Sequence, residues 1–247
     1  MYRGFKLKLS KLFFSKEDYD IGKLLFIERY EPETKESIEK YVCPKSGIID
    51  GTMLQEDWFP IINDFDIFIS HSHKDKDLAI ALAGWLYKEF ELNSFIDSCI
   101  WGYADDLLRK IDNLHCRINN KYDYNLRNYS TSHVHMMLNT ALMKMIDKTE
   151  CLFFLNTPRS IKLSGIETRT LSPWIYSEIG ISQLIEKKRK KRTYEIVFGG
   201  FDISHCLDLS HLAEISRKDL SKWSLIDVKK EKALDELYKI IPAPDKQ

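Results

Sequence analysis

Short apolar runs that alternate with segments of helical periodicity constrain the fold of this chain more than any other feature. Each run is rich in β-forming side chains and bounded by polar residues, which is the pattern of a buried strand. Five such runs predict strands at residues 66–70, 94–97, 151–155, 194–198 and 223–228. Apolar residues recur at helical spacing between and around them, at residues 78–90, 134–145 and 233–240.

Alternating strands and helices predict an α/β fold with a five-stranded parallel sheet and helices on both faces. Between the last two predicted strands, residues 207–215 predict only a short helical piece. Ligands of such sheets bind at the carboxyl ends of the strands. The loops after Ser70, Asp97 and Leu155 are therefore the expected location of a site.

The first 60 residues differ in pattern from the rest of the chain. Alternation of Phe5, Leu7 and Leu9 with lysines predicts a short strand, and Pro44 and Gly47 predict a turn. We interpret residues 1–60 as an N-terminal extension of unknown role that packs on the main domain or contacts a partner. Residues 61–247 form the predicted main domain.

Charge and cysteine content exclude several classes of function. The chain has 37 basic and 37 acidic residues, so no global field attracts nucleic acid or an anionic membrane. The basic run at residues 187–192 is interpreted as a solvated helix end, so nucleic acid is not expected as a partner. The five cysteines are widely spaced and form no Cys-x-x-Cys pair, which favours the cytoplasm. No uninterrupted apolar stretch approaches the roughly 20 residues of a membrane-spanning helix, so no membrane contact is expected.

Histidine pairs and cysteines give no complete metal site. His71 and His73, like His133 and His135, have a spacing that can supply two ligands. Neither pair has an obvious carboxylate or cysteine to complete it, and Cys43 lacks a second cysteine nearby. We therefore expect no metal.

The most informative segment is the predicted helix that opens at Ser172 and Pro173. Ser172 suits the N-cap and Pro173 the first helical position, so Trp174 and Glu178 lie on one face. Glu178 is the only charged residue in this apolar stretch. Loss of hydration there should raise its pKa. The residues alone leave two roles open for Glu178: a structural carboxylate paired with a lysine or the backbone, or a functional one.

Three motifs carry a family resemblance. Residues 66–75, Asp-Ile-Phe-Ile-Ser-His-Ser-His-Lys-Asp, resemble the first strand and loop of TIR domains. Residues 95–97, Phe-Ile-Asp, resemble the second strand, and Ser172-x-Trp174-x-x-x-Glu178 resembles the motif with the catalytic glutamate of TIR domains that cleave NAD. The motifs occur in the expected order, and the resemblance covers roughly residues 64–240. The chain looks most like bacterial TIR proteins of antiphage defence of the Thoeris type.

The resemblance implies a flavodoxin-like sheet and an enzyme that breaks the nicotinamide–ribose bond of NAD, with NAD as substrate and no cofactor. It implies Glu178 as the catalytic residue. It implies that the substrate is bound by Phe68, Ser70, His71, Asp97, Trp101 and Trp174. Possible partners are other copies of the chain, through TIR surfaces, and a separate effector that senses a cyclic or conjugated product.

Several alternatives stay open. The chain can instead be a non-catalytic TIR adaptor, or a related nucleotide or nucleoside glycosidase that acts on a base other than nicotinamide. The product of NAD cleavage can be ADP-ribose, a cyclic isomer or a conjugate. The long polar and aromatic insert at residues 98–133 either shapes an acceptor pocket or is an exposed variable loop.

Overall fold

The strands and helices below come from a computed structural model that describes residues 1, 3–8, 13–29, 37–101, 104–161, 169–185, 205–206, 209 and 211–242. The strands are β1 (Arg3–Leu7), β2 (Ile67–Ser70), β3 (Ser94–Phe95), β4 (Arg117–Ile118), β5 (Lys121–Tyr122), β6 (Cys151–Leu155), β7 (Arg169–Thr170), β8 (His205–Cys206) and β9 (Ala213–Ile215). The α-helices are α1 (Lys16–Arg29), α2 (Gly51–Trp58), α3 (Lys76–Phe90), α4 (Asp97–Ile100), α5 (Ala104–His115), α6 (Tyr124–Lys148), α7 (Pro173–Leu184), α8 (Arg217–Ser224) and α9 (Glu231–Ile240). Short 3-10 helices occupy Ile38–Tyr41 and His73–Asp75.

A five-stranded parallel sheet organises the fold. Its strand order is β3-β2-β6-β1-β9. The middle strand β6 sets the register, because Cys151 pairs with Ile67 of β2 on one side and with Arg3 of β1 on the other. Helices flank the sheet, which confirms the predicted α/β class and is consistent with a flavodoxin-like fold.

The alternation of side chains along each strand divides the core into two halves. Ile67 and Ile69 point to the face covered by α1, α3, α8 and α9, whereas Phe68 points to the face covered by α2, α5, α6 and α7. All five residues of β6 are fully buried, since both faces are covered. This burial explains why the strand is an unbroken apolar run rather than an alternating one.

The predicted strand near the N-terminus is present, but its position differs from that of an appended element. β1 is an inner strand, paired in parallel with both β6 and β9. Helix α1 packs along α3. β1 therefore belongs to the same sheet as the strands that follow residue 60, and α1 belongs to the helices that cover this sheet.

Two predictions for the C-terminal part are wrong. Trp223 belongs to helix α8 instead of a strand over residues 223–228, because Ser216 and Asp219 form a capping box that starts the helix. The Trp223 side chain is buried and its Nε1 donates to the carbonyl of Ala233. The prediction of a short helical piece at residues 207–215 is also wrong for its last three residues, because Ala213–Ile215 forms strand β9. The strand predicted at residues 194–198 lies outside the described residues.

The insert at residues 98–133 is mainly helical. It comprises most of α4, then α5, the β4–β5 hairpin and the first ten residues of α6. Helix α6 starts at Tyr124, well before the predicted start near residue 134, because the Asp123 side chain accepts a hydrogen bond from the backbone N–H of Leu126. Throughout the described ranges, no helix, α6 included, is both long and apolar enough to cross a membrane.

Helices α1 and α3 approach each other through two glycines. A methyl group on Gly84 of α3 would overlap the backbone carbonyl of Asp18, and one on Gly22 of α1 would overlap that of Ile80. Backbone atoms cannot move aside as a flexible side chain can. The contact between the two helices therefore requires glycine at both positions.

We expect Gly84→Ala to destabilise the protein by about 3 kcal/mol or more, because over-packing forces the helices apart. Urea unfolding followed by circular dichroism measures the change. Gly180→Ala is the matched control, since Gly180 is also helical but has no atom of another element within 4 Å of an added methyl group. The control should be unchanged or stabilised by up to about 1 kcal/mol. Equal unfolding midpoints for the two variants would contradict the close contact; a soluble control beside an insoluble Gly84→Ala would support it.

Candidate functional site

Glu178 is held at the carboxyl end of strand β2. Helix α7 begins as predicted, with the Ser172 hydroxyl accepting from the backbone N–H of Ile175 and Pro173 in the first turn. The helix turns Glu178 inward, where its side chain is buried with only 3 % of the residue exposed. Its Oε2 accepts a hydrogen bond from Ser70 Oγ at 2.5 Å. A residue from the last strand position of β2 thus binds the carboxyl group of α7.

The surroundings of Glu178 disfavour its charged form. Burial raises the pKa of Glu178 well above its usual value, and the negative charge of Asp97 raises it further. The Ser70 hydrogen bond lowers this pKa but does not offset the burial. Within the described residues, no lysine or arginine forms an ion pair with Glu178. The structural alternative of a lysine-paired carboxylate therefore has no support in this part of the chain.

His71 follows Ser70 and is fixed in one tautomer. Its Nδ1 lies 3.3 Å from the carbonyl oxygen of Ile69, which can only accept, so Nδ1 carries the proton. Its Nε2, 3.2 Å from Ser98 Oγ, then accepts from that hydroxyl. Burial lowers the pKa of His71, and the carboxylate of Asp97, 3.9 Å from Nδ1, opposes part of this shift. Burial thus favours the neutral form of the imidazole, next to Asp97.

The three predicted aromatic residues lie in different surroundings. Phe68 is fully buried and stacks on Phe95, with ring centroids 5.4 Å apart. Trp101 is 2 % exposed, and its Nε1 donates to the carbonyl of Pro60 at 3.0 Å. Both therefore lie in the core instead of lining an open surface. Trp174 is half-buried on α7 and contacts His135 of α6 edge to face.

Of the predicted site residues, the structure brings together Ser70, His71, Asp97 and Glu178. Phe68 lies two residues before Ser70 in β2, and both Phe68 and Trp101 are buried. A role for Phe68, Trp101 and Trp174 in binding a nucleotide stays a prediction.

Sequence reasoning did not identify three polar residues near the site, Ser98, Ser177 and Asn139. Ser98 donates to His71, and its backbone carbonyl accepts from Lys76 Nζ at 2.9 Å. Ser177 Oγ, next to Glu178, donates to Oδ1 of the fully buried Asn139 on α6 at 2.5 Å. Asn139 could have been recognised, because a polar residue within an apolar helical row requires a hydrogen-bond partner when buried. Nothing in the sequence distinguishes Ser98 from other serines.

A cavity of about 1060 Å³ lies away from Glu178, between α2, the end of α5 and α6. Phe59 and Ile111 are among its apolar lining residues, and His133 and Lys144 are among its polar ones. None of the predicted site residues lines it. The cavity and the group of titratable side chains therefore lie in different places. We favour the titratable group as the functional site because it contains the buried carboxyl group of Glu178.

The histidine pairs are arranged differently from metal ligands. His71 is occupied by its two hydrogen bonds, and His73 is exposed. On α6, His133 lies against Tyr129, whereas His135 contacts Trp174. Among the residues for which the structure gives positions, no three His, Cys, Asp or Glu side chains form a group that could hold a metal ion.

Comparison with models of known protein families found no match, and comparisons with curated proteins and with solved structures found none either. The likeness to TIR domains thus rests on the three sequence motifs.

The raised pKa of Glu178 predicts a pH-dependent cost to stability. The folded chain holds this proton more tightly than the unfolded chain, in which the pKa is about 4.5. The contribution of Glu178 to stability is therefore complete below pH 4.5 and is lost as pH rises through the raised folded-state pKa. Glu178→Gln, which stays neutral and can still accept from Ser70, should gain stability relative to the wild type as pH rises, by about 1.4 kcal/mol per unit of pKa elevation. Unfolding temperatures measured from pH 4 to pH 8 test this.

Glu214→Gln provides the control of opposite sign. Hydrogen bonding to Lys6 lowers the pKa of the largely exposed Glu214, so its small contribution is present at neutral pH and is lost as pH falls. That variant should lose a little stability at neutral pH and none in acid. A stability difference between Glu178→Gln and the wild type that does not change with pH would contradict the burial of an ionisable carboxyl group.

Proposed function

We propose that this chain cleaves the bond between nicotinamide and ribose in NAD, with Glu178 as the catalytic residue. The observation that carries the proposal is the Glu178 carboxyl group, buried without a basic partner in the described residues and bound by Ser70 at the carboxyl end of β2. Parallel α/β sheets bind their ligands at this edge. The order and content of the TIR-like motifs support the choice of NAD over other ligands.

The chemistry needs a carboxylate near the ribose. As the bond to nicotinamide breaks, positive charge moves from the pyridinium ring to the anomeric carbon and ring oxygen of the ribose. An ionised Glu178 beside the ribose stabilises that charge and is not consumed. Nicotinamide leaves with the bonding electron pair, and an acceptor completes the reaction: water gives ADP-ribose and a proton, whereas an internal group or a second molecule gives a cyclic product or a conjugate.

The raised pKa of Glu178 in the unliganded chain fits a cationic substrate. Burial and Asp97 favour the neutral acid when no ligand is bound. A pyridinium ring next to the carboxyl group favours the carboxylate, since an opposite charge within about 4–6 Å lowers a carboxyl pKa. Binding of NAD would thus ionise Glu178 at the place where the negative charge is needed. Self-assembly and a separate effector that senses the product belong to the same proposal.

Glu178→Gln should reduce NAD cleavage by about a hundred- to a thousandfold, because one preorganised electrostatic group is removed. Nicotinamide release, measured by liquid chromatography and mass spectrometry with and without phage-infected lysate, quantifies the loss and identifies the second product. Glu214→Gln, the same substitution at a distant exposed site, should retain wild-type turnover. A folded Glu178→Gln variant with wild-type turnover would refute the assignment of Glu178.

Ser70→Ala should shift the pH dependence of cleavage upward. The hydroxyl of Ser70 lowers the pKa of Glu178, so its removal lets that pKa rise, and more alkaline conditions are then needed to ionise the group. We expect the ascending limb of kcat/KM against pH to move to higher pH. Ser72→Ala is the matched control, since Ser72 lies two residues further on and its side chain caps no helix. Identical pH profiles for Ser70→Ala and Ser72→Ala would show that Ser70 does not affect the titration of Glu178.

The burial of Phe68 and Trp101 favours a second candidate, the non-catalytic TIR interaction module. Side chains expected to seat and gate a nucleotide lie in the core, and Glu178 is nearly inaccessible. Such a module would release no nicotinamide at high protein concentration under either condition of the experiment above. Release of a different base from another nucleoside would instead indicate a related glycosidase.

A further inference from the structure

The loop that follows β6 connects the two halves of the candidate site. Arg159, in this loop, donates from Nη1 to the carbonyl of Lys74 at 2.8 Å, within the loop that follows β2. On the other side, Thr170 Oγ1 donates to the carbonyl of Ser160 at 2.9 Å, just before helix α7. The loop thus lies between the segment after Ser70 and the helix that carries Glu178.

Only one nitrogen of the Arg159 guanidinium, Nη1, donates a hydrogen bond among the described contacts. Its side chain is 50 % exposed, and Nη1 lies 3.4 Å from Oδ1 of the buried Asp75. Arg127 offers a direct comparison, because it is equally exposed and also faces a buried aspartate, Asp112. Arg127 donates at 2.8 Å from Nε, so it holds its carboxylate more closely. A guanidinium has five N–H donors, and no described bond uses Nε or Nη2 of Arg159.

The chain between Ser70 and Lys74 limits the separation of Arg159 from the residue that binds Glu178, because Arg159 donates to the Lys74 carbonyl. Four residues of extended chain, from Ser70 to Lys74, span at most about 14 Å. The diphosphate of NAD is joined to the nicotinamide-bearing ribose through a single methylene group and its oxygen. A guanidinium matches the oxygens of a phosphate with two parallel hydrogen bonds. The chain carries no net charge, so recognition of an anionic substrate depends on such local groups.

We propose that Arg159 binds the diphosphate of the substrate and thereby selects dinucleotides over unphosphorylated nucleosides. The inference rests on the proposed function for the identity of the substrate. Asp75 orients the guanidinium in the unliganded chain, and Nε and Nη2 are the groups that bind phosphate. Arg159 is a binding residue that acts on affinity, distinct from the catalytic role of Glu178.

The test uses Glu178→Gln as the background, because NAD should stay intact on it during a titration. Calorimetric titration with NAD, ADP and nicotinamide riboside compares ligands with and without a diphosphate. Adding Arg159→Gln should weaken NAD and ADP about ten- to a hundredfold, the effect of losing one charged hydrogen-bonding group, and leave the riboside unchanged. Arg159→Lys keeps the positive charge but cannot make two parallel hydrogen bonds to a phosphate. We therefore expect its affinity for NAD and ADP to lie between those of the Glu178→Gln background and Arg159→Gln. Arg127→Gln removes the same kind of arginine–aspartate pair elsewhere and should leave all three affinities unchanged.

The outcomes separate the inference from the proposed function. Unchanged NAD affinity in Arg159→Gln, or equal losses in Arg127→Gln and Arg159→Gln, would overturn the role of Arg159 even if the wild type cleaves NAD. Arg159-dependent binding of ADP by a protein that releases no nicotinamide would support the diphosphate site and refute NAD cleavage. Absence of ADP and NAD binding in the Glu178→Gln background would overturn the inference. If Arg159→Gln is unfolded by circular dichroism, the intermediate affinity of Arg159→Lys decides, and wild-type affinity there would count against the inference.

Discussion

Parallel pairing of β2 and β1 with the fully buried strand β6 is the constraint on which the rest of the structure depends. Cys151 of β6 pairs with Ile67 on one side and Arg3 on the other, so the three strands end at one edge of the sheet. The loops that follow β2 and β6 must therefore emerge next to each other. This geometry alone brings Ser70 and the Arg159 loop to one place, although they are far apart in sequence.

Burial of a carboxyl group at that edge is the second constraint, and it acts through hydration. Glu178 loses water on entering the apolar contact between α7 and β2, and the single hydroxyl of Ser70 replaces only part of it. Asp97 adds a repulsive charge, while the neutral His71 adds no compensating cation. These surroundings therefore favour the protonated form of Glu178 in the unliganded chain. Burial of this carboxyl group therefore destabilises the folded chain at neutral pH.

The parts of the fold that were predictable are those determined by local sequence. Residues 67–70 and 151–155 form strands because a short apolar run bounded by polar residues has few other stable conformations when both faces are covered. Helix α7 starts at the predicted residue because Ser172 and Pro173 satisfy and pre-organise its first turn. The inward direction of Glu178 followed from that start, since the helical period then determines which face meets the sheet.

The parts that were not predictable depend on contacts between distant segments. β1 was recognised as a strand, but only its pairing with β6 and β9 places it inside the sheet. β9 has three residues, too few for a periodic pattern to show. The capping box at Ser216 and Asp219 was a local signal for α8 that the apolar residues around Trp223 obscured. The position of Trp101 is also determined non-locally, because its side chain is held in the core by the carbonyl of Pro60, forty-one residues earlier.

A closed site and a catalytic carboxyl group are compatible if the ligand supplies the missing charge. The free energy that keeps Glu178 protonated opposes its ionisation by about 1.4 kcal/mol for each unit of pKa elevation. A cationic ring placed beside the carboxyl group acts in the opposite direction, and it does so most strongly where water is excluded. An adaptor gains nothing from a buried acid that pairs with no cation in the described part of the chain. On the proposed function, the same burial that destabilises the unliganded chain makes the interaction with a pyridinium substrate, and with the charge that develops on its ribose, stronger than an exposed carboxylate could provide.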